Sequence, residues 1–178
     1  MAHPAAYHAL NAAEAASAGF LHPLTGLDHL LVMVAVGLWA VRLGGRALWM
    51  LPGAFVLPMI LGGVIGTGTA PQPMIEHGIT ASLLILGAAL GMAWKPSLPL
   101  ALGMVGLCGA CHGFAHGSEM PNGSMPLVFL AGMAVATSLL HAGGVAAGLS
   151  CEGKRLEPAF RMAGLVLIIF SVITIVAG

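Results

Sequence analysis

Charge is scarce in this chain: six Lys and Arg and six Asp and Glu in 178 residues amount to 7% charged side chains, while 58% are hydrophobic. An ordinary soluble domain carries roughly 25% charged residues, so a water-soluble globular fold is excluded. The formal net charge is zero and no basic stripe or charged tail occurs, which excludes nucleic acid as a partner. Cysteine is limited to Cys108, Cys111 and Cys151, an odd number that implies no disulfide framework. Residues 1–20 are Ala-rich and lack the basic and continuous apolar regions of a secretory signal peptide. No Walker pattern is present, so the sequence shows no ATP engine.

Long apolar runs are what the chain does have. A membrane-crossing helix needs about 20 predominantly apolar residues, and six segments qualify: 26–43, 47–66, 76–94, 98–115, 126–149 and 159–177. The expected fold is all-α, a single transmembrane domain over 1–178 in which an outer segment, 1–21, precedes a six-helix bundle. Turn-forming residues mark the breaks, as in Thr67-Gly-Thr-Ala-Pro-Gln-Pro73 and Ser118-Glu-Met-Pro-Asn-Gly-Ser124. Small residues repeat at four-residue spacing in Gly87/Gly91, Gly109/Gly113/Gly117 and Gly144/Gly148, which allows helices to approach closely in lipid.

The few charges are sorted by end. Arg42 and Arg46, then Lys95, then Lys154, Arg155 and Arg161 fall in or beside the first, third and fifth connections. By the positive-inside rule those connections face the cytoplasm and both termini face outward. His3, His8, His22, Asp28, His29, Glu76, His77, His112, His116 and Glu119 then gather toward the outer leaflet. Ionisable groups at membrane depth are costly and mark functional sites.

Two clusters carry the chemistry, His22-Pro-Leu-Thr-Gly-Leu-Asp28-His29 and Cys111-His112-Gly-Phe-Ala-His116-Gly-Ser-Glu119. His112 and His116, four apart on a helix, share one face, and Glu119 continues it from the next turn. Pro23 suits a helix start that presents His22 just outside, with Asp28 and His29 in the next two turns. Asp28 either binds directly or orients an imidazole. Glu76 and His77 open the third segment on the same side, and Met33, four after His29, adds a soft donor. A lone histidine among lipid headgroups needs no ligand, but two clusters at one depth point to a shared cation. Imidazole-rich sites suit nickel, copper, zinc or iron better than magnesium or calcium.

Other features compete. His141, mid-segment, either lines a path or bonds a backbone carbonyl. His3 can wrap a square-planar ion with the amino terminus. Met59, Met92, Met104 and Met133 read as packing. Cys108-Gly-Ala-Cys111-His112 matches the spacing of covalent haem attachment, which gives the alternative reading of a membrane redox or haem-anchoring subunit. The spacing of His112 and His116 also suits a zinc hydrolase, but the adjacent Glu that would serve as general base is missing.

The two clusters resemble the HupE/UreJ family of nickel/cobalt permeases, with His22-x5-Asp28-His29 matching its first-helix motif and His112-Gly-Phe-Ala-His116-Gly-Ser-Glu119 its later one. The resemblance extends over essentially all six helices. It implies a transporter and not an enzyme, with no catalytic cofactor and with Ni2+ or Co2+ as cargo. His22, Asp28, His29, His112, His116 and Glu119 are the implied metal positions; His3, Glu76, His77 and His141 are additional candidates. The implied setting is the bacterial inner membrane, multi-pass, with a functional link to hydrogenase or urease maturation and a further copy of the chain as a candidate partner.

Overall fold

The structure, a computed structural model, describes residues 10–151 and 156–177, and among them every regular element is helical. Seven helices follow in order: α1 (Ala12–Thr25), α2 (Leu27–Leu43), α3 (Ala47–Gly66), α4 (Pro73–Gly91), α5 (Leu98–Ser118), α6 (Pro126–Ser150) and α7 (Leu156–Ala177). Five of them, α3 to α7, are long and apolar enough to cross a membrane alone. At 17 residues α2 spans only about 25 Å, short of a hydrocarbon core of about 30 Å. It joins α1 across a bend of 84°, and the pair together passes as a sixth, broken span.

The helix α1 is a departure from the sequence reading, which placed residues 1–21 in an outer segment and started a helix near Pro23. Asn11 and Glu14 form a reciprocal capping box that starts α1 at Ala12, and Pro23 lies inside its last turn. The break falls at Gly26, whose backbone is extended. A Cβ there would lie 2.7 Å from the His29 ring and 2.8 Å from the Asp28 carboxylate, so a side chain at this position would push both groups from where they stand.

Backbone-close seams hold the bundle. A Cβ on Gly109, Gly113 or Gly117 of α5 would strike the carbonyls of Phe55, Met59 or Gly63 on α3, and one on Gly62 or Gly66 would strike Ala110 or Phe114 in return. Gly37 and Gly144 do the same between α2 and α6, Gly19 and Gly132 between α1 and α6, and Gly164 against Gly87 between α7 and α4. In lipid, where apolar side chains gain nothing by leaving solvent, such close packing supplies much of the association. Leu57, Leu61, Leu107, Leu127 and Val176 point outward, as expected of a lipid-facing belt.

The helix ends have local causes. Pro73, suited to a first turn, starts α4 earlier than expected. Ala93, at φ 59°, stops it, with Trp94 N–H returning to the Ala89 carbonyl. The Trp94 carbonyl accepts from Trp39 Nε1 at 3.2 Å. Extra turns carry Gly117 at the end of α5 and Glu157 at the start of α7. Glu157 receives the buried Arg42 at 2.8 and 3.0 Å and Arg161 at 3.0 Å. Lys95 borders the same cleft as Arg42 and Glu157, at the opposite end of α2 from His29.

Candidate metal site

Three elements bring the site residues together. His22 arrives on the last turn of α1, Asp28 and His29 on the first turn of α2, and His112, His116 and Glu119 on the last turns and cap of α5. The seating of α1 on α6 carries His22 over α5: its ring centroid lies 4.6 Å from that of His116 and 5.6 Å from Phe129. His22 Nε2 is 3.4 Å from Glu119 Oε2. Donor atoms of His22, His116 and Glu119 all fall within 4.8 Å of one another. Two donors on opposite sides of a transition-metal ion sit about 4.2 Å apart, so a small inward movement would let these three share one.

A second pair lies just beneath. His29 stands 4.3 Å from His116 and 5.1 Å from His112, centroid to centroid. His112 and His116 are 6.5 Å apart, so the pair singled out by spacing is bridged by the His29 ring of α2 and does not close on itself. His112 Nδ1 lies 2.8 Å from the Cys108 carbonyl. A carbonyl only accepts, so Nδ1 carries the proton, and in the neutral ring Nε2 is a bare lone pair.

Hydrogen bonding within the protein leaves this cluster unfinished. His29 Nδ1, His112 Nε2 and both nitrogens of His116 are buried without a partner. Buried polar groups are nearly always paired, and a cation that took one nitrogen from each ring would supply a partner that the protein does not. Glu119, at the outer edge, has its carboxyl held below the usual glutamate range, first by hydrogen bonding from His22, which outweighs the upward push of burial, and then by the charges of His22 and His29. It is therefore an anionic donor at neutral pH.

The chain matches the family described as HupE / UreJ protein over residues 1–174. It is also 41% identical over 152 residues to Protein HupE of Rhizobium leguminosarum bv. viciae, covering 85% of this chain and 80% of that protein. The chain belongs to the HupE/UreJ family. That is a family of membrane transporters, not of enzymes, in keeping with several apolar helices long enough to span a bilayer. No solved structure matches the chain.

The remaining candidates are placed differently. Asp28 accepts the His29 backbone N–H at 2.9 Å and stands 3.9 Å from His29 Nε2, too far for a hydrogen bond to that ring. Glu76 and His77 are exposed on the first turn of α4, and among the described residues neither is hydrogen-bonded or ion-paired to the imidazole cluster. His3 and His8 lie outside the described residues. His141 is 1% exposed with neither ring nitrogen bonded, so the carbonyl-bonding alternative does not hold.

The haem-attachment spacing finds no room. Cys108 and Cys111 border a cavity of about 140 Å³, against roughly 300–1,000 Å³ for small-molecule sites, and Gly109 and Gly113 between and beyond them press on α3. Phe55 and Thr137 escaped the sequence reading. Phe55 carries no polar signal, and Thr137 is marked only by lying one turn from His141.

Proposed function

We propose that the protein is a nickel or cobalt permease that takes the divalent ion from the outer side of the bacterial inner membrane through the His22/His116/Glu119 entrance. His29 and His112 receive it next, and Asp28 supplies negative charge at the rim. In this reading the α1–α2 pair counts as one broken span, six spans cross the bilayer, and both termini face outward. The product would serve hydrogenase or urease maturation.

One observation carries the proposal: donor atoms of His22, His116 and Glu119 lie within 4.8 Å of one another, beside the rings of His29 and His112, whose Nδ1 and Nε2, respectively, are buried without a partner. The donor set suits borderline ions, since imidazole favours nickel, cobalt, copper and zinc while magnesium and calcium prefer oxygen. Membership in the family, and the match to Protein HupE, support cargo over a resident cofactor.

The test is Ni2+ binding by calorimetry and Ni2+ uptake into proteoliposomes, with wild type beside His116→Ala and Asp28→Asn. Expected losses in affinity are roughly 10–100-fold or more for each. Wild-type affinity and uptake in both variants would refute the site.

A further inference from the structure

Beneath the outer imidazoles, α2, α3 and α6 bring further donor atoms together. Thr137 of α6 is fully buried, and its hydroxyl lies 3.4 Å from Met33 Sδ and 3.6 Å from Met59 Sδ. One oxygen and two thioether sulfurs from three helices thus meet at a point. A hydroxyl has a single proton, so at most one sulfur is engaged by it at a time. His141 follows one turn further in on the same face of α6, with both ring nitrogens unpartnered. It is the sixteenth residue of α6, about 22 Å along that helix. The groove of about 690 Å³ that it borders is almost wholly apolar and offers the ring no natural partner.

These levels connect to the outer cluster by single helical turns. Met33 lies four residues after His29 on α2, and the Phe55 ring stands between the two imidazole levels, 5.3 Å from His112 and 5.2 Å from His141. A buried imidazole with no partner, one turn from two sulfurs, has no packing rationale that a leucine would not serve better.

We infer that Met33, Met59, Thr137 and His141 form a second, inner station for the transition-metal ion, reached from the outer cluster past the Phe55 ring. The inference rests on the permease reading and assigns its inward half. The inner donors are neutral and softer than the outer ones, without a carboxylate. Such a station holds an ion more weakly than the entrance does, as release on the far side requires. Thioether and imidazole also disfavour magnesium and calcium, so this level adds discrimination after entry.

The experiment uses the full chain in phosphatidylethanolamine/phosphatidylglycerol vesicles with Ni2+ as probe. Saturated wild type should hold two ions per chain, with a sulfur neighbour in the nickel X-ray absorption spectrum. Met33→Leu/Met59→Leu, a near-isosteric pair, should lose that neighbour; it and His141→Leu should keep the outer affinity within about twofold while uptake falls about tenfold. Excess Mg2+ should inhibit the methionine variant more than wild type. One ion per chain with only nitrogen and oxygen neighbours would overturn the inference without reference to any variant. So would near-wild-type uptake in both variants, and either result leaves the permease reading standing. Absence of Ni2+ binding and uptake in wild type would overturn both.

Discussion

Replacing His116 with leucine is expected to make the metal-free protein more stable. The imidazole is fully buried and neither of its nitrogens has a partner. An unsatisfied buried polar group costs roughly 1–3 kcal/mol. Leucine refills much of the space against the rings of His22 and His29, at about 1 kcal/mol for imperfect fit. Taking the middle of the first range, the net gain is about 1 kcal/mol, or a rise in Tm of about 2–4 °C for a chain of this length. Nickel should reverse the order. At a free concentration of about 100 times Kd the wild type gains about 2.7 kcal/mol, a gain the variant forfeits. Thermal unfolding in detergent, followed by intrinsic fluorescence with and without NiCl2, reads both effects. A variant that melts below wild type without metal, or that keeps the nickel-dependent rise, would refute the reasoning.

Gly113→Ala should cost roughly 1–3 kcal/mol and depress uptake, because its methyl meets the Met59 carbonyl, whereas Gly103→Ala on the same helix, with nothing within 4 Å, should be neutral; paired melting curves decide. Nickel affinity should fall under acidic conditions, since protons compete for the imidazoles. Glu119→Gln should weaken binding at neutral pH, because the carboxyl, held low, is an anionic donor there; calorimetry checks this. The sign for stability is the usual carboxylate one: the His22–Glu119 contact helps above the ordinary glutamate value of about 4.3 and is lost as pH falls through the lowered one. In a background without the three cysteines, Gln72→Cys should react with an impermeant thiol reagent from outside and Arg46→Cys should not; the reverse would invert the proposed orientation.

Much of the fold was legible because lipid leaves little choice: apolar runs must be helical, and glycine repeated at four-residue spacing lets another helix come close. Gly109, Gly113 and Gly117 announced the seam with α3, although nothing in their spacing named Phe55, Met59 and Gly63 as its other side. The site's residue types were legible for the same reason, since His112 and His116 have no business in hydrocarbon without a partner. Their grouping was not. Pro23 reads equally well as a helix start or as a residue in a closing turn, and only the capping box at Asn11 and the crowding at Gly26 decide for the second. That choice determines where His22 goes, and with it which donors meet. Thr137 and Met59 look like ordinary packing until three helices are placed together.

The hydrogen bond from His112 Nδ1 to the Cys108 carbonyl has an electrical meaning. It fixes Nε2 as the nitrogen left bare, so in the permease proposed above an ion would meet a neutral donor there and keep both of its charges. Each charge crossing inward at 100 mV gains about 2.3 kcal/mol. For a divalent ion that is about 4.6 kcal/mol, enough to sustain roughly a thousandfold accumulation at 1.4 kcal/mol per decade without any fuel-burning partner. A backbone carbonyl in the middle of a helix thereby chooses which face of the imidazole an ion would meet.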